Sequence, residues 1–275
     1  MKIYDCITYC GEDLLLKIRL ETLDSEVDKF VIVEGNKYFN GETKPKFFDL
    51  NKFKKFEKKI EYYFITDFPK HNGDNYEYEH YQRNQIKRGL NGLKPNDVVL
   101  LSDADEIPNL KNKKFLDFDT AVFLQNMYYY KFNIHFYNGL KWKNKSAGTR
   151  SCKFKLFETG EKMRKYRVKN IPWWRFDRKI KRYVEFDGGW HFAFLMDIKD
   201  ISEKLIRFNH EIAHLHKNKK YDTNNLVDLI EIQNRIDKFK DPYNRDDVKL
   251  RKVKIDSTFP KYILENINKY SDYIV

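Results

Sequence analysis

The feature that most constrains the fold is an alternation of short apolar strands and amphipathic helices over the first hundred residues. In chain order the predicted elements are strand 2–7, helix 11–23, strand 30–35, helix 51–59, strand 60–65, helix 76–93 and a strand from Val98 to Leu101. Alternation of this kind is typical of parallel strands joined by helical crossovers, and strands that are apolar at every position are buried on both faces. The pattern therefore predicts an α/β fold with a Rossmann-type, mostly parallel central sheet flanked by helices.

The pattern changes after about residue 105. Aromatic-rich strands are predicted at 121–132, 151–160 and 183–195, and a segment with Pro172, Trp173 and Trp174 between the last two reads as a loop. The last 75 residues are mostly helical and charged. We predict a core of residues 1–200 and a helical C-terminal extension of residues 201–275 packed on it.

The composition describes a folded chain with a basic balance. Of its 275 residues 41% are hydrophobic, which suffices for a core, and the 53 Lys and Arg against 41 Asp and Glu give a net charge of +12. No apolar run approaches the roughly 18–20 residues of a membrane helix. Three cysteines, Cys6, Cys10 and Cys152, match no disulfide framework. These features predict a soluble, cytoplasmic protein without a signal peptide or transmembrane segment.

The positive charge and the many aromatic residues leave a second class of function open, that of a nucleic-acid-binding protein. The lysines are spread along the whole chain instead of forming one run, and no RNA-binding signature occurs. That alternative also leaves the acidic residues after the fourth predicted strand without a role. We therefore predict no nucleic-acid partner.

Those acidic residues lie where the chain leaves the predicted sheet. Asp103, Asp105 and Glu106 follow the apolar run that ends at Leu101. Ligands of open α/β sheets bind beyond the carboxyl ends of the strands, and carboxylates suit Mg²⁺ or Mn²⁺ ions that also bind a diphosphate. We predict Asp105 as the principal metal ligand, with Asp103 ordering the nucleotide or a metal-bound water. A solvated acidic turn is the alternative.

A second polar group surrounds two glycines in the sequence Asp187-Gly188-Gly189-Trp190-His191-Phe192. Paired glycines allow a close backbone approach or a conformation that side chains would prevent. A neutral imidazole is a good metal ligand and a carboxylate a competent base. We predict that His191 completes the metal site beside a wall of Trp190 and Phe192. A tight turn with a buried, hydrogen-bonded histidine is the alternative.

A competing motif lies further along the chain. Residues 210–214 read His-Glu-Ile-Ala-His, which on a helix can bind zinc with Glu211 as the base. Such a site needs a third ligand, and Glu231 and His216 are weak candidates. A zinc hydrolase is therefore less favoured than either an enzyme that binds a metal ion and a diphosphate or a nucleic-acid-binding protein.

Four segments together resemble glycosyltransferase family 17, which includes the bisecting N-acetylglucosaminyltransferase of N-glycans. They are the opening from Tyr4 to Phe48, and then YQRNQIKRGL, SDADEIP and GGWHFAFL, in the same order. The resemblance spans about residues 3–215. It implies a GT-A-like fold and an inverting transferase that uses Mn²⁺ (or Mg²⁺) to move a sugar from a UDP-linked donor, expected to be UDP-N-acetylglucosamine, to a glycan hydroxyl.

The resemblance also implies roles for individual residues. Matching positions of the donor and metal site are Glu12, Arg19, Glu34, Arg83, Asn84, Asp103, Asp105 and His191. For Arg19 and Glu34 a buried ion pair between the first helix and the second strand is the alternative. An inverting transfer also needs a base, for which we predict Asp187, with Glu185 and Glu158 as competitors. The tail after about residue 215 matches poorly, so the acceptor is left open.

Overall fold

In the computed structural model, residues 1–70, 76–137, 145–167, 180–207, 228–243, 245 and 248–275 are described. Their strands are β1 Ile3–Tyr9, β2 Lys29–Gly35, β3 Ile60–Ile65, β4 Val98–Asp103, β5 Glu106–Pro108, β6 Thr120–Tyr129, β7 Ile134–Phe136, β8 Lys145–Lys153, β9 Arg182–Glu185, β10 Gly189–Ala193 and β11 Leu250–Lys252. Their α-helices are α1 Asp13–Leu23, α2 Glu77–Asn84, α3 Gly160–Arg164, α4 Ile198–Arg207, α5 Leu229–Asp237 and α6 Lys261–Glu265. Segments of 3-10 helix lie at Leu50–Lys59, Gln85–Gly89, Lys113–Asp117, Phe154–Leu156 and Ile267–Tyr273.

The strands form one sheet in the order β11-β7-β6-β8-β4-β1-β2-β3, to which β10 adds by pairing with β5 and β6, and β9 by pairing with β6. We call β1 to β4 the parallel half, because these strands all pair in parallel. We call β5 to β11 the mixed half, because β8 is antiparallel to β4 and β6 whereas β9 and β10 are parallel to β6. The α/β fold with a Rossmann-like central sheet and flanking helices is confirmed, and the sheet is mixed rather than purely parallel.

The helices of the parallel half are shorter and tighter than the sequence pattern predicts. The helix predicted at 76–93 is α-helical only to Asn84 and continues as a 3-10 turn to Gly89. At Gly89 a Cβ atom would lie 2.4 Å from a methyl carbon of Val31, so this turn packs closely on β2. The helix predicted at 51–59 is a 3-10 segment with non-helical backbone angles at Phe53.

The strand predicted at 151–160 ends early. β8 stops at Lys153, and a 3-10 turn and the short helix α3 follow. Thr159 caps α3 by accepting a hydrogen bond from the Lys162 amide at 3.1 Å. The helix α3 carries Arg164 to the end of β4, where it binds Asp103. The predicted loop around Trp173 lies outside the described residues.

The core lies on both faces of the sheet because side chains alternate along each strand. In β1, Ile3 and Ile7 pack with Leu16 and Leu20 of α1, whereas Cys6 on the other face belongs to the cluster that contains Ile86. Burial on both faces explains why the strands of the parallel half read as continuous apolar runs.

The C-terminal residues pack on the rest of the chain. Phe259, Ile263 and Tyr270 are buried in one cluster with Ile18 of α1 and Phe192 of β10. The boundary at residue 200 stays a prediction. In the part of the chain that the structure describes, no helix has the length and apolar character that a membrane crossing requires.

Candidate active site

The candidate site lies where the two halves of the sheet meet. Strand β1 pairs with β4 so that Thr8 lies opposite Asp103, at the carboxyl ends of both strands. Strand β10 pairs with β5 so that His191 lies opposite Glu106, and the Phe192 amide donates a hydrogen bond to the Asp105 carbonyl oxygen at 2.9 Å. Residues 103–106, which we call the acidic turn, are therefore held between the parallel half and β10.

The glycine pair makes this approach possible. Gly189 has a φ of +113°, and a Cβ atom there would lie 2.2 Å from the carbonyl oxygen of Ile107. At Gly188 a Cβ atom would lie 2.5 Å from the Leu124 amide nitrogen. The close backbone approach predicted from the glycine pair is confirmed. Glycine is required because β10 is inserted between β5 and β6.

The wall predicted from Trp190 and Phe192 is wrong. Both side chains are buried in the core cluster that contains Phe259, and the Trp190 indole nitrogen donates to the Thr258 carbonyl oxygen at 3.0 Å. Side chains alternate across a strand, so His191 lies on the opposite face from its two neighbours.

Asp105 and His191 face each other. The His191 Nε2 atom lies 3.6 Å from Asp105 Oδ1, and Lys204 Nζ of α4 lies 3.8 Å from Asp105 Oδ2. The side chains of Asp105 and His191 are each 16% exposed, so both are accessible from the cavity beside them. Burial favours a neutral carboxyl, but His191 and Lys204 outweigh it and hold the pKa of Asp105 well below its usual range. Burial lowers the pKa of His191, but the Asp105 carboxylate reverses this effect and raises it.

Asp103 is held by two arginines. Arg164 Nη2 of α3 donates to Asp103 Oδ2 at 2.8 Å, and Arg83 Nη2 of α2 lies 3.4 Å from Asp103 Oδ1. Arg164 also binds both carboxylate oxygens of Glu106, at 2.6 and 2.7 Å. Burial raises the pKa of Glu106, but this two-point contact outweighs it and lowers the pKa. Arg164 therefore fixes the two carboxylates that flank Asp105.

The predicted QRN block braces this arrangement. Arg83 donates to Glu161 Oε2 at 2.9 Å and also pairs with Glu79 one turn earlier. The Asn84 side-chain oxygen accepts a hydrogen bond from the Glu161 amide at 2.9 Å. Asn84 thus ties α2 to the first turn of α3, while Arg83 reaches the acidic turn.

Arg19 and Glu34 are fully buried and do not pair with each other. Arg19 forms a two-point ion pair with Asp5 of β1, both distances being 2.6 Å, and donates to the Glu106 carbonyl oxygen at 2.7 Å. Glu34 binds Lys44 Nζ at 2.7 Å and accepts hydrogen bonds from two backbone amides and from a tyrosine hydroxyl. With every contact internal, Arg19 supports the acidic turn from beneath, and Glu34 orders the loop after β2.

Two cavities meet at Glu12. The inner cavity, of about 170 Å³, is lined by Thr8, Tyr9, Phe39, Glu79, Gln82, Arg83, Asp103, Ala104, Asp105 and His191. The outer cavity, of about 630 Å³, is lined by Gly11, Asp13, Leu14, Leu15, Tyr38, Pro45, Phe47, Leu195, Met196, Asp197, Asp200, Glu203 and Tyr273. Both are also lined by Cys10, Glu12 and Lys204. Glu12 is half-buried, and burial raises its pKa although Lys204 opposes the shift.

The three carboxylates predicted as candidates for the base lie elsewhere. Asp187 is exposed and accepts a hydrogen bond from the Asn109 side chain at 3.1 Å. Glu185 is buried and bound by Asn112 at 2.7 Å, whereas Glu158 is exposed and pairs with Lys162. None of the three lines the inner or the outer cavity.

The donor atoms of Asp105 and His191 fit a shared divalent cation. Two atoms 3.6 Å apart can both bind an ion that lies about 2.1 Å from each. Among the described residues no group of three or more His, Cys, Asp or Glu side chains is arranged to hold a metal. His191 Nδ1 is buried and has no hydrogen-bond partner among the described residues, whereas the second ring nitrogen of a metal-binding histidine usually donates a hydrogen bond. Because Asp105 and His191 supply two ligands, such an ion would need water and substrate oxygens to complete its coordination.

Sequence reasoning missed two basic residues of the site. Arg164 lies in the segment GEKMR and Lys204 in α4, and neither belongs to a recognisable motif. Their contacts with Asp103 and Asp105 join residues about 60 and 100 positions apart, a relation that only the fold reveals. The motif at 210–214 lies outside the described residues.

Comparison with known proteins identifies the class. The model of the family "Glycosyltransferase family 17" matches residues 1–274, so the chain belongs to that family. It is 32% identical over 125 residues to the beta-1,4-mannosyl-glycoprotein 4-beta-N-acetylglucosaminyltransferase of Homo sapiens, and equally to the protein of that name from Rattus norvegicus. Each match covers 42% of this chain and 23% of the relative, so only a minor part of either relative's length is represented.

Proposed function

We propose that this family 17 protein is a GT-A-type inverting glycosyltransferase that moves a sugar from a nucleotide donor, expected to be UDP-N-acetylglucosamine, to a glycan hydroxyl. The observation that carries the proposal is the pair Asp105 and His191, which face each other at 3.6 Å in a cavity at the carboxyl ends of β1 and β4. Both relatives are N-acetylglucosaminyltransferases, and this is the reason for the expected sugar.

We place the donor diphosphate in the inner cavity, with Mn²⁺ or Mg²⁺ held by Asp105 and His191. When bound, such an ion supplies positive charge that stabilises the leaving diphosphate. Arg83 adds a planar guanidinium at the same wall, which suits phosphate oxygens. Arg164 keeps Asp103 and Glu106 paired, so Asp105 is the carboxylate of the acidic turn that is left for the ion.

Inverting transfer needs a carboxylate that accepts the proton of the acceptor hydroxyl. Asp187, the residue predicted from sequence, lines neither cavity, whereas Glu12 lines both. A base at the junction can approach the acceptor and the donor sugar at once. We therefore take Glu12 as the first candidate and keep Asp187 as its competitor.

The test is a panel of nucleotide sugars incubated with the protein and Mn²⁺, with release of the nucleotide as the measurement. We expect turnover with UDP-N-acetylglucosamine, and loss of at least about a hundredfold in Asp105→Asn because the variant keeps the shape but loses the charge. Asp67→Asn, at an exposed aspartate outside both cavities, is the matched control. Turnover of no nucleotide sugar, or full activity of Asp105→Asn, would overturn the proposal.

A further inference from the structure

The outer cavity has no assigned role in donor binding, although its volume of about 630 Å³ lies in the range of small-molecule sites. It shares Cys10, Glu12 and Lys204 with the inner cavity. A molecule in the outer cavity would therefore meet the donor at this junction. Position alone makes it a candidate for the second substrate.

The two cavities differ in charge. The described lining of the outer cavity carries five carboxylates, on Glu12, Asp13, Asp197, Asp200 and Glu203, and one ammonium group, that of Lys204. Lys52, outside this lining, pairs with Asp13, and the other four carboxylates still outnumber Lys204. Asp200 senses this excess, because burial and its acidic neighbours Asp197 and Glu203 raise its pKa. The outer cavity is thus unfavourable for a second anion, whereas the inner cavity sets Arg83, His191 and Lys204 against the carboxylates of Glu12, Glu79, Asp103 and Asp105.

The rest of the outer wall suits a sugar. Tyr38, Phe47, Met196 and Tyr273 offer aromatic and apolar surface on which the carbon face of a sugar ring can lie. Carboxylates accept hydrogen bonds and donate none when ionised, so they match the hydroxyl groups of a glycan. The lining therefore combines the two kinds of contact that an uncharged sugar makes.

We propose that the outer cavity is the acceptor subsite and that it selects uncharged, hydroxyl-rich glycans over anionic ones such as uronic-acid or phosphorylated sugars. The inference rests on the proposed function, because it needs the donor diphosphate in the inner cavity. It goes further by assigning a separate site to the acceptor and a charge to its selectivity.

The probes are matched p-nitrophenyl glycosides, the glucoside with the glucuronide and the galactoside with the galacturonide, which differ by one carboxylate within each pair. Their dissociation constants are measured by ligand-observed NMR on the protein with UDP and Mn²⁺, so no turnover is required. We expect each neutral glycoside to bind about tenfold more tightly than its acidic counterpart. Asp200→Lys should shrink or reverse that ratio, while Asp67→Lys, on an exposed site outside the cavity, should leave it unchanged.

A second variant tests position independently of charge. Met196→Trp fills part of the outer cavity and should weaken binding of the neutral glycosides at least about tenfold, with the affinity for UDP unchanged. Equal or tighter binding of the acidic glycosides, binding of none of the four, or binding insensitive to Met196→Trp would overturn the acceptor assignment. Failure of the proposed function is a separate result, absence of nucleotide-sugar turnover in the wild type.

Discussion

The parallel half and the mixed half contribute opposite charges to the site. Asp103 ends β4 and Asp105 follows it, and Glu106 begins β5, whereas Arg164, His191 and Lys204 come from α3, β10 and α4. Arg83 of α2 is the cation that joins the acidic turn from the parallel half. The site is thus assembled by docking an acidic edge against a later basic layer, and neither half contains it alone.

The two halves also differ in the contacts that hold their strands and loops in place. In the parallel half Arg19 is buried with Asp5, and Lys44 with Glu34, so charged pairs lock strands and loops from inside. In the mixed half the strands are pinned by close backbone contacts, as at Gly188 and Gly189. The site forms only where β10 and α3 are in place, because they bring His191 and Arg164 to the acidic turn.

The largest expected effect is on sugar transfer, and it shows whether the base is Glu12 in the parallel half or Asp187 in the mixed half. In the wild type the Cys10 amide donates a hydrogen bond to Glu12 Oε2 at 2.7 Å, and a glutamine side-chain oxygen can still accept it. Glu12→Gln removes the proton acceptor, so transfer should fall by about 10²–10⁴-fold. Asp187→Asn should stay within a few-fold of wild type. Calorimetry with UDP and Mn²⁺ checks that donor binding persists in both variants. If Asp187→Asn is the inactive one, the base belongs to the mixed half, as the sequence predicts.

The next effect concerns stability at the boundary between the halves. Arg164→Met leaves Glu106, which is 1% exposed, without its cation, and should cost about 3–5 kcal/mol of unfolding free energy. Urea denaturation of the ligand-free protein measures it. Lys162→Met, on the same short helix at an exposed pair with Glu158, is the matched control and should cost no more than about 1 kcal/mol. Equal costs would show that Arg164 does not hold the halves together.

The predictability of these features from sequence follows the same division. β1 to β4 were predicted within a few residues because an apolar run flanked by a helix is a local signal, and the carboxyl edge with Asp103 and Asp105 followed from their parallel order. The glycine pair also signalled its close approach. Arg164 gave no signal, because its function depends on packing against a turn about 60 residues earlier. The mixed half could not be ordered from sequence, because antiparallel partners such as β8 and β4 are chosen by long-range packing.

A smaller effect on the free energy of unfolding comes from a histidine of the mixed half when the pH is lowered. Burial, with Arg251 and Lys145 adding to it, lowers the pKa of His135 on β7 to about 4. Between about pH 6.5 and pH 4 the unfolded chain therefore takes up a proton that the folded chain does not, and stability falls by at most about 1.4 kcal/mol per pH unit. Above about pH 6.5 this contribution to the pH dependence vanishes.

His135→Gln removes the titrating group, so its urea stability should fall less steeply than that of wild type between pH 6.5 and pH 4. The comparison is made at matched pH values, because other acidic and basic groups titrate equally in both proteins. Parallel stability curves for the two proteins would contradict the assignment of this loss to His135.

The proposed cation site is shared by the two halves, through Asp105 and His191. The most direct measurement is Mn²⁺ binding in the presence of UDP, followed by electron paramagnetic resonance of the free ion, for wild type, Asp105→Asn, His191→Gln and the control Asp67→Asn. We predict that wild type and the control bind one Mn²⁺ and that each site variant loses at least about tenfold in affinity. Wild-type affinity in either site variant would contradict a site built from both halves.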